Sequence, residues 1–188
     1  LYHAYVSPGD EVVMLDPSYA MFPVYADMYE AKSVLIPFNR TINIDNALLT
    51  DSINKQTKMV LIANPNQPTG TLLPKDVLIT LIERAAESKA LVVVDEAYYP
   101  FSHTTALPMV AQYPNLVVTR TFSKAGGLAG CRIGYIVGHP EIINQVYKVR
   151  SVNDLNSMAI LCAGQLLEYP EVVDQYVADI EDGYSLLQ

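Results

Sequence analysis

The run Leu91-Val-Val-Val-Asp95 is apolar and β-branched throughout and ends on a carboxylate, and it limits the possible folds more than any other segment. A strand with no polar alternation must be covered on both faces, which points to a parallel sheet between helices. Related segments recur along the chain. Glu11–Asp16, Lys32–Ile36 (closed by Pro37), Lys58–Ala63, Asn115–Thr119 and Arg132–Val137 also read as strands. Helical patterns fill the intervals, from about Tyr19 to Tyr29, Asp45 to Ile53, Pro74 to Ser88, Glu141 to Arg150, Leu155 to Glu168, and from Pro170 onward. Short strands alternating with longer helices predict an α/β fold with a mostly parallel sheet, without internal repeats.

Bulk properties narrow the function. A chain of 188 residues corresponds to one domain, or one and a part. Hydrophobic residues make up 51% and charged residues 17%, which implies surface normally covered by more chain or by another subunit. A formal charge of −8 argues against nucleic acid or an anionic membrane as partner, so an anionic ligand must be gripped by locally placed donors. Cys131 and Cys162 have neither metal-site nor disulfide spacing, and a reduced, cytoplasmic setting is expected. No stretch is apolar for long enough to form a spanning helix. The start lacks Met and a basic region, and Tyr176 to Gln188 reads as a helix still in progress, so a piece of a longer protein is expected.

In open α/β sheets, ligands gather beyond the carboxyl ends of the strands, and the chemically distinctive segments fall there. Thr121-Phe-Ser-Lys-Ala-Gly-Gly-Leu-Ala-Gly-Cys-Arg132 combines an amine, two hydroxyls, a guanidinium and glycines. An amine can form a Schiff base, hydroxyls and guanidinium can hold a phosphate, and glycines permit close backbone approach. Pyridoxal phosphate needs both grips. By itself, a lone Ser-Lys reads better as a surface lysine in a glycine loop, and the other segments tip the balance for Lys124. Asn64-Pro-Asn-Gln-Pro-Thr-Gly70 offers the amides of Asn64, Asn66 and Gln67, although Asn-Pro turns are ordinary loop chemistry. Asp95, at the end of an apolar strand, needs a cation or donor; it could pair with a protonated pyridine nitrogen, or cap a helix. Tyr98 could reach a ring oxygen, and Tyr19 could stack on a planar ring or simply pack. Glu96 is expected to be solvated or capping, and Arg120 and Arg150 to form salt bridges.

Taken together, in order and spacing, these segments resemble the fold-type I pyridoxal phosphate enzymes. The resemblance is strongest to class I/II aminotransferases of the histidinol-phosphate aminotransferase-like branch, and it covers nearly the whole chain. It implies a three-layer α/β/α fold, with residues 1–150 as the cofactor-binding large domain and 151–188 as interdomain helices leading to a small domain outside this chain. It also implies that Lys124 forms the Schiff base and shuttles a proton. Asp95 would pair with the pyridine nitrogen, Tyr98 with the phenolic oxygen, and Tyr19 with the ring face. Thr121, Ser123 and Arg132 would hold the phosphate. Gln67 stands where the family usually has Asn, so the ring-oxygen contact falls to Gln67 or to Asn64 or Asn66. Asp154 lies near the place where the phosphate-substrate branch shows a Tyr-Asn pair, and it would disfavour a substrate phosphate. The implied activity is amino transfer between an amino acid, or an amino-phosphate compound such as histidinol phosphate, and a 2-oxo acid, in a cytoplasmic homodimer. The alternatives are a threonine-phosphate decarboxylase of the same fold and a non-catalytic ligand-sensing module.

Overall fold

A computed structural model describes residues 1–187. Six strands form one sheet: β1 (Glu11–Asp16), β2 (Lys32–Pro37), β3 (Thr57–Ala63), β4 (Leu91–Asp95), β5 (Leu116–Thr121) and β6 (Gly134–Gly138), in the order β2-β1-β3-β4-β5-β6. All neighbours are parallel except β5 and β6, which run antiparallel with Arg120 opposite Tyr135. The mixed, mostly parallel sheet matches the expectation. Its single reversal falls at the Phe122–Ile133 connection, which holds only the short turn Ala129–Cys131 and no α-helix to carry a parallel crossover.

The helices are α1 (Tyr2–Tyr5), α2 (Met21–Met28), α3 (Asn46–Asp51), α4 (Lys75–Glu87), α5 (Tyr99–Ser102), α6 (Pro140–Val149), α7 (Ser157–Glu168) and α8 (Glu171–Ser185). Alternate strand residues sort the core into two faces. Val13, Val60, Val92, Val94 and Val118 pack under Leu78, Leu81 and Ile82 of α4. Val12, Met14, Leu61, Val93 and Val117 pack against Tyr2, Phe22 and Ile142, from α1, α2 and α6. Burial on both faces is why β4 carries no polar alternation.

Several boundaries differ from the sequence reading by a residue or two, and three of the differences bear on the site or the chain end. Arg132 is not in a strand: its φ of 52° and ψ of 48° are left-handed, and β6 begins at Gly134. The helix from Pro170 stops at Ser185 with Leu186 as its cap, and the Gln188 end of that expectation lies outside the described residues. The seventh helix begins at Ser157, where the Asn156 side chain accepts from the Ala159 N–H at 2.8 Å. Ala159 and Ala163 of this helix are small enough to let it close on Ile133, Phe122 and Leu128, so α7 supports the lysine turn directly.

Candidate active site

A cleft of about 300 Å³ opens at the carboxyl ends of β3, β4 and β5, lined by Tyr19, Gln67, Asp95, Tyr98, Thr121, Ser123, Lys124 and Arg132, among others. Of the sequence candidates, Asn64 and Asn66 are not on its wall. The Asn64 side chain is buried and accepts from the Leu73 N–H at 2.9 Å. Asn66 is also used structurally: its oxygen accepts from the Ser18 hydroxyl at 2.7 Å, and its nitrogen donates to Pro17 O at 3.0 Å and to Thr69 Oγ1 at 2.9 Å. That side chain ties the turn before Tyr19 to the turn holding Gln67. Gln67 is thus the amide that faces the cleft, and its oxygen accepts from the Tyr98 hydroxyl at 3.3 Å.

Asp95 sits where β4 releases its last residue. One carboxylate oxygen accepts from the Ala97 N–H at 3.0 Å, and no cation forms an ion pair with it among the described residues. Burial raises its pKa above the ordinary value, with Glu96 adding to the rise; hydrogen bonds from Ala97 and Thr119 and the charge of Lys124 oppose it. A carboxylate held in this state is stabilised by any cationic N–H that enters the cleft.

The lysine turn closes between β5 and β6. The Ser123 N–H donates to Thr121 Oγ1 at 3.1 Å, shaping the turn. The glycines serve the turn itself rather than the approach of a ligand. A Cβ on Gly126 would lie 2.8 Å from Phe122 O, and Gly127 has a φ of +68°. The Lys124 amine makes no hydrogen bond or ion pair among the described residues and lies 5.0 Å from the centre of the Tyr98 ring. Arg132 donates one N–H to Ala129 O at 3.0 Å, which leaves the rest of its fork open beside Thr121 and Ser123. The ring of Tyr19 meets Phe22 edge-on at 5.5 Å and is 40% exposed.

Glu96 is the main departure from the sequence reading. Instead of being solvated or capping, it is 1% exposed. It pairs with Arg120 at 2.8 Å and accepts from the Ala106 N–H at 2.6 Å and from the Thr105 hydroxyl at 2.9 Å. Arg120 lines the cleft and stacks on Tyr99 at 3.7 Å. Its burial lowers its pKa, but hydrogen bonds and charge from Tyr135 and Glu96 more than offset this, so it titrates above its ordinary value. The strand register explains this network: Asp95 lies beside Thr119, which brings the next residues, Glu96 and Arg120, together.

The geometry suits an anionic, aromatic, carbonyl-bearing ligand. A free amine, an unpaired carboxylate and an open guanidinium with hydroxyls lie on one cleft, and an aromatic ring stands at its wall. Residues 2–183 match the family described as "Aminotransferase class I and II". The chain is 34% identical over 180 residues to a histidinol-phosphate aminotransferase of Dehalococcoides mccartyi, covering 96% of this chain and 49% of that protein. It is 38% identical over 185 residues to histidinol-phosphate aminotransferase 2 of Burkholderia pseudomallei, covering 98% and 51%. Among solved structures, it is 25% identical to Sinorhizobium meliloti histidinol-phosphate aminotransferase in complex with pyridoxal-5'-phosphate, at a TM-score of 0.87, covering 96% and 50%. Thermus thermophilus aspartate aminotransferase with maleate is also 25% identical, at a TM-score of 0.88, covering 98% and 50%. The chain spans about half the length of the curated relatives it matches. With the cleft, the sheet order and the match over residues 2–183 in agreement, the chain belongs to the class I and II aminotransferases.

Proposed function

We propose that the protein is a pyridoxal phosphate-dependent aminotransferase that moves an amino group from an amino acid to a 2-oxo acid. The observation supporting this most strongly is the placement of Lys124, Asp95 and Arg132 on one cleft, with the amine and the carboxylate both lacking ion-pair partners among the described residues. Pyridoxal phosphate supplies an electron sink for the charge left when an α-proton departs. The residues fit its three parts. Asp95 would accept from the ring N–H, whose positive charge would favour the carboxylate form against the burial that raises its pKa. Arg132, Thr121 and Ser123 hold the phosphate, the guanidinium through its open fork. Tyr19 covers a ring face.

Lys124 has two tasks. Its amine would hold the aldehyde end of the cofactor, and when free it would take and return a proton at the substrate α-carbon. Tyr98 and Gln67 form a hydrogen-bonded pair beside the amine, and the Gln67 nitrogen is the donor available to a ring oxygen. The longer Gln stem thus replaces the usual Asn, whereas Asn64 and Asn66 are held by the scaffold.

A histidinol phosphate-type donor is supported by the names of the relatives. Asp154 lies 4.0 Å from Arg150 on an exposed surface, where such a pair is weak, so its charge still counts against a substrate phosphate nearby. Residues 1–150 are assigned to the cofactor domain, and the segment from residue 151 to helices leading toward a second domain. Half-exposed apolar residues on α7 and α8, Leu161 and Leu167 among them, support a homodimer. The free Cys131 and Cys162 support a reducing cytoplasm.

The test is a single turnover. Protein loaded with cofactor and mixed with donor amino acid should release 2-oxo acid in proportion to bound cofactor, without carbon dioxide. Carbon dioxide release would favour the decarboxylase, and cofactor binding without turnover the sensing module.

A further inference from the structure

Two guanidinium groups line the cleft, and their surroundings are opposite. Arg132 is exposed and has no acidic partner among the described residues. Arg120 lies one residue before the phosphate-side Thr121, yet its Nε and Nη2 donate to Glu96 Oε2 at 2.9 and 2.8 Å. Nη2 also donates to Thr105 Oγ1 at 2.9 Å, and the guanidinium face lies on Tyr99. The Glu96 side chain is fully buried, and both of its oxygens are bonded. Burying such a pair is costly compared with an apolar pair of the same volume, so packing alone does not account for it. An unpaired Arg120 would leave a second cationic fork on the same cleft, where it would compete with Arg132 for a phosphate.

We propose that Glu96 is a positioning residue that quenches Arg120, so that Arg132 is, among the described residues, the only guanidinium in the cleft open to an anion and the phosphate end of the ligand is fixed there. This inference rests on the reading of the Arg132 corner as a phosphate site.

The test uses inorganic phosphate and cofactor-free protein, with binding followed by phosphorus NMR. Wild type should bind through Arg132, and Arg132→Ala should lose most of that binding. Glu96→Gln removes the charge and keeps one acceptor oxygen, for Arg120 or for Ala106 but not both; it should bind phosphate about three- to tenfold more tightly. In that background Arg132→Ala should cost less. A merely structural role for Glu96 would weaken binding instead, and unchanged or weaker binding in a folded Glu96→Gln would overturn the proposal. Should Glu96→Gln fail to fold, the uncharged double variant Glu96→Gln/Arg120→Gln decides. Affinity within about twofold of wild type supports quenching; a loss of tenfold or more would make Arg120 itself an anion ligand and contradict the proposal. If wild type binds no phosphate but Glu96→Gln does, quenching stands and the cofactor reading of the Arg132 corner fails.

Discussion

Asp95 shows how one residue links the cofactor-free fold to its ligand. Its pKa is raised chiefly by burial, so in the cofactor-free protein its stabilising contribution is complete below the ordinary carboxylate value of 3.8 and is lost as pH rises through the higher folded value. Cofactor-free Asp95→Asn should therefore be more stable than wild type at neutral pH in urea unfolding, and the difference should close as pH falls below 3.8. The same substitution should weaken cofactor binding by about tenfold or more, because a neutral amide cannot balance a cationic ring nitrogen. At this scale the sequence was informative about residue types and less so about direction. The Lys124, Asp95 and Arg132 segments announced their chemistry through spacing. That Asn64 and Asn66 turn into the scaffold while Gln67 turns out depends on backbone geometry across two loops, which adjacent amides in a row cannot reveal.

At the scale of elements, the site is held by contacts between strand ends and turns. Asn66 joins the Pro17-Ser18 turn to the Gln67 turn, and Asn66→Ala should lower stability by about 2–3 kcal/mol in equilibrium unfolding, since it removes every hydrogen bond of a buried side chain that ties the two turns together. Gly134 lies where a Cβ would stand 2.6 Å from Arg120 O, so Gly134→Ala should force β6 away from β5, cost about 2 kcal/mol and weaken cofactor binding. Thermal melts with and without cofactor would separate these two effects. The strands and longer helices were legible because apolar runs and helical periods are local signals. The four-residue helices α1 and α5 were not, being too short to show a period. The left-handed Arg132 broke the expected strand because backbone sign is not encoded in side-chain polarity.

For the whole molecule, the sheet is buried on both faces, while apolar side chains remain uncovered on the last two helices, with Met158, Leu161, Leu167 and Tyr184 each more than 60% exposed. Such a surface favours association, and sedimentation should show concentration-dependent self-association that Leu161→Glu reduces. The low charged fraction foreshadowed a covered surface but could not locate it. The account as a whole depends on one covalent claim: that Lys124 is the amine that captures the cofactor aldehyde. Treatment with pyridoxal phosphate, borohydride reduction and peptide mapping by mass spectrometry should place the label on Lys124 and lose it in Lys124→Ala. Label spread over surface lysines and unchanged in Lys124→Ala would contradict the account.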